Sequence, residues 1–276
     1  MKNKPLPSRT VGPVSSAFIA TLQKRGKTIF SITEAQEIYG KNRYSTGDFL
    51  SDLVKRGILA RIKAGVYLLL QMGNENTQLG NWPVIARELA GKDPYFISHY
   101  SAMRIHGMTT HALRDVFITT IKRKKEKKLG DITYHFICSK KEHFWGETAH
   151  WATRQEQVLV SDPERTILDG LDRPDLCGGV MDVVRGIWTA QKNLDLAKLK
   201  RYAGHFRTKA ALKRLGCILE TLNIATHWLP ALSGLITDAK GYVLLDPQGS
   251  PKGKLINRWG IRINLDLEEL KAGVWG

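Results

Sequence analysis

Tyr44 to Leu70 read YSTGDFLSDLVKRGILARIKAGVYLLL, and the period of the apolar residues changes halfway along this stretch. The apolar residues of the first half are Phe49, Leu50, Leu53 and Val54. They recur at the spacing of one helical face, which predicts an amphipathic helix. Ser45 is a suitable N-cap for it, and Gly57 suits the left-handed conformation that often ends a helix.

The second half of the stretch has the pattern of a β-hairpin. Ile58–Ile62 and Val66–Leu70 are short apolar runs, and Lys63-Ala64-Gly65 lies between them. Gly65 can adopt the positive φ that tight hairpin turns require. A helix followed by a hairpin with a basic tip is the second half of a winged helix-turn-helix.

The residues before Tyr44 predict the first half of the same fold. A helix from Ser15 or Ser16 ends at Gly26, and a short extended piece follows it. Ser31 and Glu34 have the spacing of a capping box at the start of another helix, which Gly40 closes. The winged-helix order is therefore complete by Leu70.

The second helix of a helix-turn-helix enters the major groove of DNA with its N-terminal end first. The candidate DNA-binding residues of this helix are Arg43, Tyr44, Ser45, Thr46, Ser51 and Lys55. On the hairpin, Arg61 and Lys63 are expected to meet phosphate or the minor groove. Residues 1–70 contain 12 basic and 4 acidic residues, so half of the net charge of +16 lies in a quarter of the chain.

Composition restricts the partners and the compartment. A net charge of +16 and a pI near 9.8 favour polyanions, because neutralising phosphates releases counterions. Three widely separated cysteines without metal-ligand spacing predict a reducing cytosol, no zinc site and no cofactor. The N-terminus has no signal-peptide pattern, and no stretch approaches the roughly 20 apolar residues that span a bilayer. We therefore expect a soluble cytoplasmic protein without a membrane partner.

The polar stretch 71–80 predicts a linker between two domains. Residues 1–70 form the predicted winged helix-turn-helix, and residues 81–276 mix helical and strand patterns. The expected fold class is α+β, with a larger mixed α/β domain after the winged helix.

A basic run lies between two predicted strands of the second domain. Its basic residues are Lys122, Arg123, Lys124, Lys125, Lys127 and Lys128. A solvated hairpin loop and a second polyanion-binding surface explain this run equally well, because no aromatic residue for base stacking is interleaved.

A strong helix start follows at Ser161-Asp162-Pro163-Glu164, with serine as the expected cap. Arg165, Asp169 and Arg173 then recur every four residues, which permits a ladder of salt bridges. A structural ion pair explains Asp169 better than a catalytic carboxylate does.

Two segments of the second domain resemble motifs of the AbiEi-type abortive-infection antitoxins. They are Tyr95–Ala102 with His106-Gly107, and Val160–Asp169 continuing to Gly178-Gly179. The winged helix also resembles the DNA-binding half of that family, at Leu53–Gly57 and Gly65–Tyr67. The resemblance covers nearly the whole chain, and its specific part is the order of the motifs.

The resemblance implies the antitoxin of a type IV toxin–antitoxin pair that serves phage defence. The toxin of such a pair is a nucleotidyltransferase, and the antitoxin represses its own operon by binding inverted repeats in double-stranded DNA. The C-terminal domain provides antitoxicity through a basic surface without a stable toxin complex, and Lys122–Lys128 is the matching candidate here. The resemblance is also compatible with a monomer that binds DNA cooperatively. Members of the family often carry a second basic residue directly before the wing glycine, whereas this chain has Ala64 at that position.

Three other functions remain to be distinguished. Gly249-Ser250 followed by Asp266 and Glu268 loosely resembles a nucleotidyltransferase fingerprint, but the spacing is too long, so we expect no enzyme. A winged-helix regulator with a ligand-sensing C-terminal domain, unrelated to a toxin, is the main alternative. An RNA-binding protein is the third.

Overall fold

The computed structural model describes residues 11–70, 81–154, 156–266 and 268, and these form an α+β structure, as predicted. Contacts divide them into two compact units. The first unit contains the residues up to Lys92 together with Lys127–Thr133. The second contains Asp93–Glu126 and the residues from Tyr134 onward. The predicted linker at 71–80 lies outside the described residues, and the division into 1–70 and 81–276 stays a prediction.

The first unit has the element order predicted for a winged helix-turn-helix. Its elements are α1 (Pro13–Lys24), β1 (Ile29–Ser31), α2 (Ile32–Tyr39), α3 (Arg43–Lys55), β2 (Leu59–Lys63), β3 (Val66–Leu69) and α4 (Trp82–Ala90). The three strands form an antiparallel sheet in the order β1-β3-β2. Gly57 and Gly65 have φ of +68° and +71°, which confirms their predicted places after α3 and in the hairpin turn.

Local capping explains where these helices begin. The Ser31 side chain accepts a hydrogen bond from Glu34 N, and the Glu34 side chain accepts one from Ser31 N, so the predicted capping box is confirmed. The prediction that Ser45 caps α3 is wrong, because Asn42 Oδ1 accepts from Ser45 N at 2.9 Å. The cap and the helix start therefore lie three residues earlier than predicted, with Arg43 as the first helical residue.

The core of the first unit comes from the predicted apolar faces. Leu50 and Leu53 of α3 are fully buried against Phe18 and Leu22 of α1 and Phe30 of β1. Phe49 and Val54 are half-buried at the edge of the same cluster. This packing directs the opposite face of α3 to solvent.

The second unit combines a sheet with a helical layer. Its strands are β4 (Tyr95–Ile97), β5 (Asp115–Thr120), β7 (Ile132–Cys138), β8 (Glu147–Trp151), β9 (Gln157–Ser161), β10 (Val243–Leu244), β11 (Lys254–Ile256) and β12 (Ile261–Ile263). With β6 (Lys127–Leu129), the main sheet has the order β6-β7-β5-β4-β9-β8, and the small C-terminal sheet has the order β10-β12-β11. The strands β6 and β8 were not expected from the sequence.

The helices of this layer are α5 (His99–Ile105), α6 (Pro163–Asp172), α7 (Val180–Ala190), α8 (Leu196–His205), α9 (Lys209–Thr221) and α10 (Leu229–Gly234). The central helix α6 packs against α5, α7, α8 and α9. Within the main sheet β4 and β9 are parallel, with Ile97 beside Val160. The helices α5 and α6 therefore start next to each other, each just after its strand.

Candidate nucleic-acid interface

One face of α3 is exposed and basic. Arg43, Gly47, Ser51 and Lys55 follow each other at intervals of four residues, so they lie along one helical face. Arg43, Ser51 and Lys55 are exposed, and a Cβ at Gly47 would have no atom within 4 Å. A glycine in a helix interior costs about 1 kcal/mol relative to alanine. At an open position that cost is consistent with close approach of a partner to the helix backbone.

The N-terminal end of α3 adds an aromatic side chain to this face. Tyr44 is 81% exposed, which is unusual for an aromatic residue beside a packed core. Ser45 is half-buried, and its N–H is already used by the cap. Arg43, Lys55 and Arg61 are in no ion pair with the residues that the structure describes. Their charges are therefore free to meet phosphate.

Thr46 is the exception among the predicted residues of α3. Its side chain is fully buried, and Oγ1 donates to Asn42 O at 2.8 Å. Threonine hydroxyls in helices often bond to the carbonyl four residues earlier. The expectation that Thr46 contacts DNA is therefore not supported, and Thr46 belongs to the support of the helix start.

The hairpin separates its two predicted cations. Arg61 is exposed on β2, opposite Tyr67 of β3. Lys63 instead lies 3.2 Å from Glu88 Oε2 of α4 and also donates to the Glu88 carbonyl. The Lys63 side chain is only 37% exposed. The structure thus leaves Arg61 available to DNA, whereas Lys63 holds the wing against α4.

We expect the Arg61→Met and Lys63→Met variants to differ. Loss of Arg61 should weaken binding to all duplexes and lower the salt-dependence slope by about 0.9, the value for one phosphate contact. Loss of Lys63 should leave that slope unchanged and lower the free energy of unfolding by at most about 1 kcal/mol, the range for exposed ion pairs. Fluorescence anisotropy at several salt concentrations measures the slopes. Equal slopes for the two variants would contradict this assignment.

The basic run Lys122–Lys128 is divided between the two units. Lys122 and Lys124 lie 2.7 Å and 3.2 Å from the Asp93 carboxylate. The hydrogen bond from Lys122, followed by that from Lys124, lowers the pKa of Asp93. Arg123 and Lys125 are exposed without an ion pair to the described residues, and the same holds for Lys127 and Lys128 on β6. Two cations of the run in each unit are therefore free of ion pairs with the described residues.

The second motif of the resemblance forms a buried polar network. The cap of α6 is Asp162 and not Ser161, because Asp162 Oδ1 accepts from Arg165 N at 2.8 Å. Arg165 Nε donates to both oxygens of Asp169 at 2.9 Å, which confirms the ion pair expected for Asp169. The predicted ladder stops there, since Arg173 pairs with Asp175 instead.

Sequence reasoning missed the partners that hold this motif in place. Lys198 Nζ lies 2.9 Å from Asp162 Oδ2 and 3.0 Å from Glu164 Oε2, and both carboxylates are buried. Burial alone would lower the pKa of Lys198, but the hydrogen bonds to these carboxylates outweigh it and raise that pKa. Tyr202 OH also donates to Asp162 Oδ2. The only sequence signal was the density of carboxylates around Pro163.

A buried histidine, His99, and a half-buried one, His106, predict acid sensitivity in the first motif. Burial lowers the pKa of His99, and it lowers the pKa of His106 despite a hydrogen bond to Ser161 O. An unfolded histidine takes up its proton near pH 6.5, whereas these two do so only at lower pH. Between those values the unfolded state binds more protons, so stability is complete above pH 6.5 and decreases on acidification.

We expect the melting temperature of the full chain to fall between pH 7.5 and pH 5.5. One such histidine contributes at most about 1.4 kcal/mol per pH unit. The His106→Gln variant, whose amide can still donate to Ser161 O, should lose less stability on acidification. His111→Gln is the control, because His111 is exposed. Parallel pH profiles of wild type and His106→Gln would disprove the role of His106.

Two further properties concern metals and membranes. Within the described ranges, no three His, Cys, Asp or Glu side chains are grouped so that they could hold a metal ion. No helix in the described part of the chain is long and apolar enough to cross a membrane.

Comparison with known proteins gives a family match for residues 17–70 and a similar fold for nearly the whole chain. Residues 17–70 match a family model described as "Transcriptional regulator, AbiEi antitoxin", which confirms the resemblance over this segment. The crystal structure of the RV2827C protein from Mycobacterium tuberculosis is similar with a TM-score of 0.67 and 14% identity, over 98% of this chain and 97% of that one. At this identity the similarity shows a shared fold. No curated protein matches the sequence.

Proposed function

Because residues 17–70 match the AbiEi antitoxin transcriptional regulator family, we propose that the chain represses its own operon and is the antitoxin of a type IV pair. The observation that carries the proposal is the outward face of α3. There, Arg43 and Lys55 have no ion-pair partner among the described residues, and they flank Gly47 and Ser51. A helix face of this kind, followed by a wing with a free arginine, suits the major groove and the adjacent phosphates.

The first experiment measures binding of the full chain to its own upstream DNA by fluorescence anisotropy, against a scrambled duplex of equal length. Measurements at two salt concentrations separate specific from non-specific binding, because non-specific binding is dominated by phosphate contacts and weakens steeply with salt. A preference for the upstream DNA that survives the higher salt supports a regulator. Equal, salt-sensitive binding to both duplexes would reject operator recognition and leave only general polyanion affinity.

The antitoxin part of the proposal concerns a neighbouring nucleotidyltransferase toxin and phage defence. The free cations Arg123 and Lys125 support it, since they provide a second basic surface, in the second unit. Cells that express the toxin should be rescued by the full chain. The Arg123→Ala/Lys125→Ala variant should rescue poorly and still bind DNA like wild type. Failure of the full chain to rescue would reject the antitoxin role, whereas wild-type rescue by the variant would reject this surface.

The alternative is a winged-helix regulator without a toxin, whose C-terminal part senses a small molecule. A polar cavity in the second unit favours this alternative specifically. It predicts that a ligand of the cavity changes the affinity for the upstream DNA. The antitoxin proposal predicts rescue from the toxin whether or not such a ligand is present.

A further inference from the structure

A small polar cavity lies in the second unit, in a region to which neither DNA binding nor the basic run assigns a role. Its volume is about 60 Å³. Its polar lining includes His99, Ser139, Arg165, Asp169, Arg173 and Arg207. A cavity needs only about 10–15 Å³ of this kind of volume per water molecule. The space therefore suits a few waters or a single tetrahedral oxyanion.

The cavity lies where the two motifs of the second unit meet. Only Ser98 separates His99 from the end of β4. Arg165 lies in the first turn of α6, just after β9. The strands β4 and β9 are parallel neighbours. In sheets with parallel strands, ligands usually bind outside the carboxyl ends of the strands. The position of the cavity agrees with that rule.

His99 lines this space and has an unused ring nitrogen. The residue is only 5% exposed, and its ring lines the cavity. Thr119 Oγ1 donates to Ser98 Oγ at 2.8 Å, and Ser98 Oγ lies 2.9 Å from His99 Nδ1. Since Ser98 Oγ already accepts a hydrogen bond from Thr119, its own hydroxyl donates a hydrogen bond to Nδ1, and the ring proton of His99 is assigned to Nε2. Among the described residues, Nε2 has no hydrogen-bond partner.

Arg165 supplies a second fixed donor. It is 6% exposed, and its guanidinium carbon lies 4.1 Å from the centroid of the Trp145 ring. Nε binds Asp169, and Nη1 donates to the carbonyls of His143 and Trp145 at 3.1 Å. None of these bonds uses Nη2. Asp169, the two carbonyls and the Trp145 ring hold the buried guanidinium in one position. Its remaining N–H groups therefore have little freedom to reach other acceptors.

The ion pairs around the cavity leave donors for an acceptor ligand. Asp169 is paired with Arg165, and Asp172 is paired with Arg207 at 3.2 Å. The third arginine, Arg173, has a half-exposed side chain at the edge of the cavity and binds Asp175 through Nε and Nη2 only. Each of the three arginines is thus paired with one aspartate, and each guanidinium has more N–H groups than this pairing uses. The lining therefore has more unused donors than unused acceptors.

We propose that this cavity binds a phosphate-sized oxyanion, which accepts hydrogen bonds from His99 Nε2 and Arg165 Nη2, with Arg173 and Arg207 at the opening. The oxyanion is either free phosphate or the terminal phosphate of a small phosphate ester. The inference does not depend on the proposed repressor and antitoxin function, which concerns other residues and other ligands; it gives the ligand-sensing alternative a candidate ligand for the same cavity.

Isothermal titration of the full chain with inorganic phosphate, and in parallel with AMP, tests the proposal. The decisive variant is His99→Asn. His99 has a φ of +53°, and asparagine tolerates this left-handed conformation better than most residues. Asparagine can keep a polar atom near Ser98 but has none at the position of Nε2. We expect binding to weaken at least tenfold.

Arg173→Gln is a second variant that leaves the buried network intact, and it should also weaken binding. Arg185→Gln is its matched control, because Arg185 is a half-exposed arginine paired with an aspartate, Asp182, outside the cavity. Nitrogen-15 NMR of the histidine rings adds a direct readout. The Nε2–H form of His99 should be present, and its resonance should shift on addition of phosphate.

The outcomes are distinct. If both probes bind, free phosphate is a sufficient ligand, and if AMP alone binds, the ligand is a phosphate ester. In either case the His99→Asn variant must bind the probe more weakly than wild type. If neither probe binds at millimolar concentration, or if His99→Asn and Arg173→Gln bind like Arg185→Gln, the oxyanion site does not exist. DNA affinity plays no part in these measurements, so failure here leaves the proposed regulator untouched.

Discussion

Replacing Arg43 and Lys55 together by glutamate should weaken binding to the upstream DNA about 100-fold, or about 2.8 kcal/mol. Both side chains are exposed on one face of α3, and neither has an ion-pair partner in the described part of the chain. The variant replaces two attractions to phosphate by two repulsions. The slope of the salt dependence should fall by about 1.8, since each lost phosphate contact contributes about 0.9.

Folding should change little in this variant. A glutamate at the first position of α3 is favoured by the helix dipole, and one in the last turn is disfavoured by a similar amount. The control is Lys24→Glu/Lys92→Glu, which alters two exposed cations of the same unit and changes the net charge equally. It should retain most of the specific affinity. Equal losses in the two double variants would show that only the total charge matters.

The Gly216→Ala variant should lower the free energy of unfolding by about 2–3 kcal/mol. Gly216 lies inside α9, and a Cβ there would be 2.2 Å from Cε3 and Cζ3 of Trp259. The ring is fully buried, and its Nε1 donates to Glu220 Oε2 at 2.6 Å, so it has little freedom to move away. Overpacking of this kind costs about 1–3 kcal/mol or more, which exceeds the roughly 1 kcal/mol that alanine gains in a helix.

Chemical unfolding of the full chain measures this effect, and Gly204→Ala is the matched control. Gly204 lies in α8 of the same unit, and a Cβ there would have no atom within 4 Å. That variant should be as stable as wild type or more stable. If Gly216→Ala is also stabilised, the contact between α9 and Trp259 is not as tight as described.

The first unit was predictable because its signals are local. A capping box, two glycines with positive φ and the apolar stripe of α3 each act within a few residues. The predictions for the cap of α3 and for Thr46 failed because two local hydrogen-bond arrangements compete at each position. Asn42 and Ser45 both suit the cap of α3, and a hydroxyl near a helix start, such as that of Thr46, can face DNA or bond to the preceding turn. Only the packed structure decides between them.

The polar network of the second unit was less predictable. Its helix start and the Arg165–Asp169 pair follow from spacing, but the cavity depends on Ile97 and Val160 lying side by side on parallel strands. These residues are more than 60 positions apart, and no periodic pattern encodes such a pairing. The partner of Lys63 was missed for the same reason, since Glu88 belongs to a helix beyond the stretch 71–80.

The division of the chain has a consequence for how such proteins diversify. The first unit includes Trp82–Ala90 and also Lys127–Thr133, so the chain leaves this unit after Lys92 and returns to it later. A single recombination event between two homologous genes therefore cannot exchange the whole first unit. The recombined unit would contain one segment from each parent protein. We expect DNA specificity in this architecture to change by substitutions on α3 and β2, and not by transfer of whole modules.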